Sequence, residues 1–384
     1  MRRGSWILVA AACATVLGIL TVSHTVSGQR ETPPPPETEI YNPYPPGILP
    51  PDLLSEMERL QREIRSIFKE TLAEWRPLPP PNVLHQQFHG SPLTLQGSGY
   101  QAVQILGKLM NYDENMSAKR DMACASCHMP YVAFSGPMPS VNLTTIASPG
   151  SADFRFGKRT PQRYTYSPRF PVLQYNEVQG LFFGGNFWDA RSTGFLLQSA
   201  DAEQAQQPPV DTQEHGLPDT ACIAFRLSRA VYRPLFELIW GAGSLDIWWP
   251  HNTEEICSTP GGAAKFGGNP TPIPLSPADR TKANRVYDNW GQSISFFESS
   301  KNVSAFSSKF AAYLAGAYTL TAEEQAGYDL FRGKAGCNTC HLDGRRSTQE
   351  GGTDTSAAAN VEPLVTCFGY ANLGLPLNPR DAFY

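Results

Sequence analysis

Two copies of one short motif constrain this 384-residue chain more than any other feature. Residues 124–128 read CASCH and residues 337–341 read CNTCH, so each motif has two cysteines separated by two residues and a histidine directly after them. Three kinds of site use such a pattern. It can form a zinc knuckle, a redox-active dithiol, or an attachment site for c-type haem, in which the thiols add to two vinyl groups and the histidine binds the iron.

The spacing of the motifs and their surroundings favour haem attachment. A structural zinc site normally joins two CxxC pairs that lie tens of residues apart, whereas about 210 residues separate these two. A thioredoxin-like dithiol would follow a strand, and no strand pattern precedes either motif. Haem attachment gives every position of both motifs a role, so we predict two covalent haem c groups. Their cysteines and proximal histidines are Cys124, Cys127, His128, Cys337, Cys340 and His341.

The N-terminus predicts export to the periplasm or the cell surface. The basic MRRGS precedes an apolar run of about 17 residues, and VSG before Gln29 suits a signal-peptide cleavage site. An uncleaved membrane anchor is the alternative, although the run is short for a membrane span. An oxidising compartment favours disulfides. Cys222 and Cys257, which bracket a tryptophan-rich insertion, are predicted to form one.

The charge of the chain argues against a nucleic-acid partner. Cleavage of the leader removes Arg2 and Arg3, so 31 basic residues become 29 against 35 acidic ones, a net charge of −6. No basic tract remains to neutralise a phosphate backbone.

The residue pattern predicts a mainly α fold with long loops and few strands. Residues 31–50 form a proline-stiffened linker. An amphipathic helix follows over 52–75 and is predicted to pack on the main body, with an oligomer contact as the alternative. Thr321 and Glu324 form a capping box that opens a helix ending near Gly333. Other helical patterns fall within 96–129, 220–240 and 278–300.

Several segments resemble the bacterial dihaem cytochrome c peroxidase family, which includes the MauG maturases. LGKLMNYDENMS before the first motif looks like the family's LGKxLFxDxxLS, and RTPQ at 159–162 resembles its NTP segment. NFWDARSTGFLLQ at 186–198 resembles FWDGR followed by a glutamine, and DTQEHG at 211–216 resembles NPVEMG. The helix before the second motif and the YANLGLP after it also match. The resemblance covers roughly residues 95–384 and keeps the family's order.

The resemblance implies a peroxidase that reduces hydrogen peroxide with electrons from a small cytochrome c or cupredoxin. By position, Trp188 would conduct electrons between the haems, Glu214 would lie over the first iron, and Gln198 would be a second polar residue of that pocket. A carboxylate can move a proton between the two peroxide oxygens. A MauG-like oxidase of a protein or small substrate is the main alternative, and a non-enzymatic electron-transfer cytochrome is the other.

The chain also departs from the family in its axial ligands. Classical members hold a removable distal histidine on the first haem, but no histidine lies between His128 and Trp188. We therefore expect the first iron to be five-coordinate or water-bound at rest. No methionine, histidine or lysine follows His341, which leaves Tyr370 or Tyr384 as the sixth ligand of the second haem. The favoured interpretation is a truncated sequence; a partner or a weak ligand is the alternative.

Together these features predict two cytochrome c-like haem domains. The predicted parts are a signal peptide (1–28), a linker with its helix (29–82), an N-terminal peroxidatic domain (83–275) with an insertion near 222–257, and a C-terminal electron-transfer domain (276–384). The family's interdomain calcium ion is a weaker expectation, because its asparagine is replaced near Thr165. A homodimer is a further expectation.

Overall fold

A computed structural model describes residues 9–10, 51–75, 98–144, 147–262, 272–344, 362–374 and 376. The described chain is mainly helical, as predicted. Its helices are α1 Pro51–Trp75, α2 Ser98–Asn111, α3 Pro139–Thr144, α4 Ala200–Ala205, α5 Gln207–Val210, α6 Ala221–Leu227, α7 Arg233–Trp240, α8 Thr253–Ser258, α9 Pro277–Glu298, α10 Lys309–Leu314 and α11 Ala322–Arg332. None of these helices is both long and apolar enough to cross a membrane. The cleavage site, the linker at 31–50 and Tyr384 lie outside the described residues.

The described strands are short and bring the end of the chain onto its middle. They are β1 Val9–Ala10, β2 Gln174–Asn176, β3 Leu181–Phe183 and β4 Tyr370–Ala371. β2 and β3 form an antiparallel hairpin, and β1 pairs antiparallel with β4. A single bridge between Phe183 and Gly369 joins the hairpin to the segment that contains β4. The segment after the second motif is therefore anchored beside residues 181–187.

Helix α9 forms the centre of the main core. Its start is set by Ser276, whose hydroxyl accepts a hydrogen bond from the backbone N–H of Asp279 at 3.1 Å. Its apolar face packs against α2, α4 and α6. The domain boundary between residues 275 and 276 stays a prediction, but α9, which follows it, packs on helices that precede it in the chain. Periodicity alone does not reveal which half of a chain a helix packs against.

The helical pattern over 220–240 is divided into two helices. α6 ends at Leu227 and α7 begins at Arg233 because Pro234 has no N–H to continue the helical hydrogen bonds and its ring restricts the preceding residue. The predicted disulfide between Cys222 and Cys257 is confirmed, and it ties α6 to α8 with a Cα–Cα separation of 5.5 Å.

Helix α1 packs on the main body, as predicted, and supports the first CxxCH motif. Leu60 and Ile64 are fully buried in a cluster that includes Ala125 of the motif. Polar contacts fix the helix at its sides. Arg65 pairs with Glu114 at 2.8 Å, and the amide of Gln61 donates to the Asp121 carbonyl oxygen at 3.2 Å.

Truncation of Ile64 should test this support. Ile64→Ala removes a fully buried side chain, so we expect a loss of about 2–5 kcal/mol in the free energy of unfolding. Urea denaturation would measure it, with the exposed Arg62→Ala on the same helix as the control. Equal stability of the two variants would contradict the packing of α1 on the body.

Candidate functional site

The two CxxCH motifs adopt the same local fold. Each forms one turn of 3-10 helix, over Cys124–Ser126 and Cys337–Thr339. In the first motif the carbonyl oxygen of Cys124 accepts hydrogen bonds from the N–H groups of Cys127 and His128, both at 3.1 Å. In the second motif the Cys337 carbonyl oxygen accepts from Cys340 and His341 at 3.2 and 2.9 Å. This turn brings two cysteines and a histidine onto one short segment.

Both histidines are oriented by a backbone carbonyl. Nδ1 of His128 lies 2.8 Å from the carbonyl oxygen of Phe134, and Nδ1 of His341 lies 3.1 Å from that of Val365. Since a carbonyl can only accept, each Nδ1 carries a proton, and Nε2 is the ring nitrogen that remains for a metal. Metal-binding histidines are typically oriented by such an outer hydrogen bond. Burial also lowers the pKa of His128 to about 4, which keeps its ring neutral.

A cavity of about 650 Å³ opens in front of the first motif. This volume lies within the usual range of a site for one organic ligand. The lining side chains include the predicted residues of the motif together with Trp188 and Glu214, and the polar or charged residues Lys158, Arg159, Gln162, Asn186, Asp189, Arg191, Gln204, Gln207, Asp211, His215 and Glu298.

Glu214 contributes a carboxyl group that titrates near neutrality. Burial against the cavity wall raises its pKa to about 7, and the carboxylate of Asp211 adds to the rise. The charges of Arg191 and Lys158 offset part of this effect. Both the acid and the carboxylate are therefore populated at neutral pH, as a proton carrier requires.

Trp188 lies at the cavity rim beside a charged cluster. Half of its surface is exposed to solvent. The adjacent Asp189 accepts hydrogen bonds from Arg159 at 3.0 Å and from Arg191 at 2.9 Å. Burial alone would raise the pKa of Asp189, but these two guanidinium groups outweigh it and lower that pKa. The Arg191 guanidinium also lies 3.5 Å from the centre of the Phe187 ring.

The structure does not bring Gln198 to the cavity. Its amide donates to the carbonyl oxygen of Phe195 at 3.1 Å on the surface. Gln204, six residues later on α4, lines the cavity instead. The glutamine that follows the tryptophan motif was ambiguous in the sequence, because both residues follow it closely.

His215 is a site residue that sequence reasoning missed. It is buried, it lines the same cavity as His128, and its Nδ1 lies 2.9 Å from the carbonyl oxygen of Met116. The expectation of an open first iron relied on the absence of histidine between His128 and Trp188, yet a second imidazole reaches the cavity from farther along the chain. The only sequence signal was its position directly after Glu214.

The second motif lies on a more exposed part of the molecule. His341 is exposed, and the cysteines are half-buried. The buried Asp343 accepts a hydrogen bond from the Tyr328 hydroxyl at 2.6 Å and pairs with Arg332 at 3.5 Å, which attaches the motif to α11. The helix itself begins at the predicted capping box of Thr321 and Glu324, and Gly333 is its C-cap.

One backbone segment contacts both sites. It begins with Val365, whose carbonyl oxygen orients His341. Farther along, the hydroxyl of Tyr370 donates to the carbonyl oxygen of Phe187 at 3.3 Å, next to Trp188. Tyr370, one of the two tyrosines predicted as a ligand of the second haem, thus has its hydroxyl at the rim of the first site.

The thiol groups fit covalent attachment better than the other two chemistries. Burial raises the pKa of Cys127 to about 12 and that of Cys124 further still, whereas redox-active dithiols have lowered pKa values. Among the described residues, no three Cys, His, Asp or Glu side chains converge as a zinc site of such ligands requires. Two thiols lie beside the cavity, and the neutral imidazole of His128 has an unprotonated Nε2. This arrangement fits a haem bound through thioethers.

Comparison with known proteins agrees with this geometry. The family model of di-haem cytochrome c peroxidases matches residues 101–319. The methylamine utilization protein MauG from Paracoccus denitrificans is 25% identical over 278 residues, which are 72% of this chain and 58% of that protein. The crystal structure of the diheme peroxidase BthA from Burkholderia thailandensis shares the fold with a TM-score of 0.52 and 24% identity, and the match covers 73% of this chain and 56% of that chain. This chain spans little more than half the length of these relatives. Since the family model matches more than half of its residues, the chain belongs to the di-haem cytochrome c peroxidase family.

Proposed function

We propose that this protein is an exported dihaem peroxidase that reduces hydrogen peroxide to water. Electrons would arrive from a small cytochrome or copper protein at the second haem, and peroxide would react in the cavity at the first. The observation that carries the proposal is the meeting of Glu214 with the first CxxCH motif in one cavity. A carboxyl group that titrates near neutrality in this cavity serves proton transfer to peroxide, and simple electron transfer does not require it.

The two motifs would each hold one haem. Cys124 and Cys127 would form the thioethers of the first, and His128 would offer Nε2 to its iron. Cys337, Cys340 and His341 would do the same for the second. When bound, the haem iron supplies reversible one-electron chemistry and, where a coordination position is open, a place for peroxide.

Glu214 would transfer a proton between the two peroxide oxygens. Reduction of one peroxide to two waters takes up two electrons and two protons. The carboxylate of Glu214 would accept a proton from one peroxide oxygen, and the resulting acid would return it to the oxygen that leaves as water. Its pKa of about 7 suits both steps.

Trp188 and the segment over 365–370 would connect the two sites. The path leads from His341 through the Val365 carbonyl and along the backbone to Tyr370, whose hydroxyl contacts the residue before Trp188. The indole at the cavity rim then shortens the remaining gap for an electron.

A MauG-like oxidase is the second candidate, and the exposure of Trp188 favours it. An indole that lines the cavity and is also half exposed could take electrons from a protein or a small molecule outside. In that case peroxide would be the oxidant, and the outside substrate would be the source of electrons.

Haem counting and a turnover assay test the proposal together. We expect two covalent haems per chain in a pyridine haemochrome assay of the denatured protein, and one after removal of both thioethers at either site, in Cys124→Ala/Cys127→Ala or Cys337→Ala/Cys340→Ala. The intact holoprotein should then oxidise reduced cytochrome c when peroxide is added. Full haem loading without peroxide consumption would refute the peroxidase, and peroxide-dependent modification of another protein would favour the oxidase.

A further inference from the structure

Two buried carboxyl groups meet at the wall of the cavity and have no assigned role. Asp201 belongs to α4 and Glu298 is the last residue of α9, and they are 1% and 2% exposed. Their carboxyl groups are close enough for each to shift the pKa of the other. Glu298 also lines the cavity. The packing of α4 on α9 is what brings together two residues that lie 97 positions apart.

No positive charge balances this pair among the described residues. None of the ion pairs found there includes Asp201 or Glu298. Within the same residues, one carboxyl oxygen of each, Oδ2 of Asp201 and Oε2 of Glu298, has no hydrogen-bond partner. Buried polar atoms are normally satisfied, so two such oxygens in one pair require an explanation.

The groups around the pair are polar but uncharged. The hydroxyls of Ser167 and Ser295 hydrogen-bond to Asp201, and the amide of Asn186 approaches it at 3.4 Å. Tyr164 and Cys124 also face Glu298. Burial raises the pKa of Tyr164, which keeps it neutral, and Cys124 carries no charge as a thioether.

Two adjacent carboxylates that are both buried and have no cation beside them are not stable when both are ionised. Their repulsion, together with the cost of burying two charges, favours a state in which one proton is shared between them. Burial raises the pKa of Glu298 well above its ordinary value, and the neighbouring Asp201 adds to the effect. Burial raises the pKa of Asp201 as well, so the two side chains hold one proton between them.

A chain of hydrogen bonds extends from the pair to the cavity. Asn186, which contacts Asp201 through its amide nitrogen, accepts hydrogen bonds at its oxygen from the Gln162 amide at 2.8 Å and from the backbone N–H of Phe187 at 2.6 Å. Asn186, Gln162 and Phe187 all line the cavity. A change of charge in the cavity would therefore change the proton affinity of the pair, both directly and through the oriented dipoles of this chain.

We infer that Asp201 and Glu298 form a proton-sharing pair that takes up one proton when the haem held at Cys124 and Cys127 gains one electron, and releases it when that electron leaves. The inference rests on the proposed haem site, but it does not require peroxide turnover. The electron comes from a small redox protein or a chemical reductant, and the proton comes from water. Before reduction the pair holds one proton and carries one negative charge, and after reduction it holds two protons and is neutral. The added proton cancels the charge of the added electron, so the net charge of the site does not change.

Electrochemistry on the holoprotein can test this coupling. We expect the midpoint potential of the first haem to fall by up to 59 mV per pH unit, the value for one proton per electron. The double variant Asp201→Asn/Glu298→Gln keeps the shapes of the side chains, and it should flatten this slope. The second haem should keep its own pH dependence in both proteins and serves as an internal control. Glu255→Gln, which changes an exposed carboxyl of α8 far from the pair in the chain, is the matched control and should leave the slope in place.

Infrared difference spectra provide a second readout that needs only the wild type and one variant. The spectrum of the reduced minus the oxidised holoprotein should show the gain of a protonated carboxyl C=O band, and the double variant Asp201→Asn/Glu298→Gln should remove it. A pH-independent potential in the wild type, or a slope abolished by Glu214→Gln but retained in the double variant, would overturn the inference. Stabilisation by added Ca²⁺ without a protonated carboxyl band would also overturn it, because the pair would then bind a cation and not a proton. A protein that shows the coupling but does not consume peroxide would refute the peroxidase alone.

Discussion

Glu214→Gln is expected to lower the rate of peroxide reduction by roughly 10²- to 10⁴-fold while both haems remain attached. Glutamine keeps the size and polarity of the side chain, but it can neither accept a proton from one peroxide oxygen nor return it to the other. Glu214 lies on the cavity wall and outside the CxxCH turn, so the change should not affect thioether formation.

The pH dependence of the rate makes this test sharper. The carboxylate form of Glu214 is the one that accepts a proton. In the wild type kcat/KM should therefore rise with pH through the pKa of about 7 and level off above it. The variant should lack this rise. Glu255→Gln, which changes an exposed glutamate of α8, is the matched control and should behave as the wild type. A variant that keeps the full rate, or the same pH profile, would exclude Glu214 as the proton carrier.

Gly107→Ala is expected to destabilise the fold at the centre of its main core. Gly107 lies where α2 crosses α9, and a methyl group there would overlap the Ser293 carbonyl group and lie 2.8 Å from Cβ of Phe297. A backbone carbonyl inside a helix cannot turn away, so the two helices would have to separate. Overpacking of this kind typically costs about 1–3 kcal/mol and here it affects the central helix pair.

Gly327→Ala provides the control for this experiment. Gly327 lies within α11, and a methyl group there would meet no atom within 4 Å. Alanine should therefore raise the free energy of unfolding by about 0.5–1 kcal/mol, because it restricts the unfolded chain and suits a helix. Urea denaturation of both variants would measure the two effects. A Gly107→Ala protein as stable as the wild type would show that α2 and α9 are not in close contact at Gly107.

The features that were predictable from the sequence depend on residues close together in the chain. The helix over 322–332 with its capping box and the amphipathic α1 are local patterns, and the structure confirms both elements. The disulfide was also accessible, because export and the bracketed insertion left few alternatives for Cys222 and Cys257.

The remainder of the site depends on contacts between distant residues, which no local pattern encodes. His215 enters the cavity because its loop packs against Met116, 99 positions earlier. Gln204 lines the cavity and Gln198 does not, because of where α4 begins. The Glu203 carboxylate stabilises the loop before that helix. The meeting of Asp201 with Glu298 requires the packing of α4 on α9, and two isolated acidic residues in the sequence predict only solvated side chains.

The backbone from Val365 to Tyr370 holds the imidazole of His341 at one end and the loop that contains Trp188 at the other. It therefore fixes the spacing between the His341 imidazole and the loop that contains Trp188. A single residue added or deleted between Val365 and Tyr370 would displace one of these two contacts whenever the other is formed.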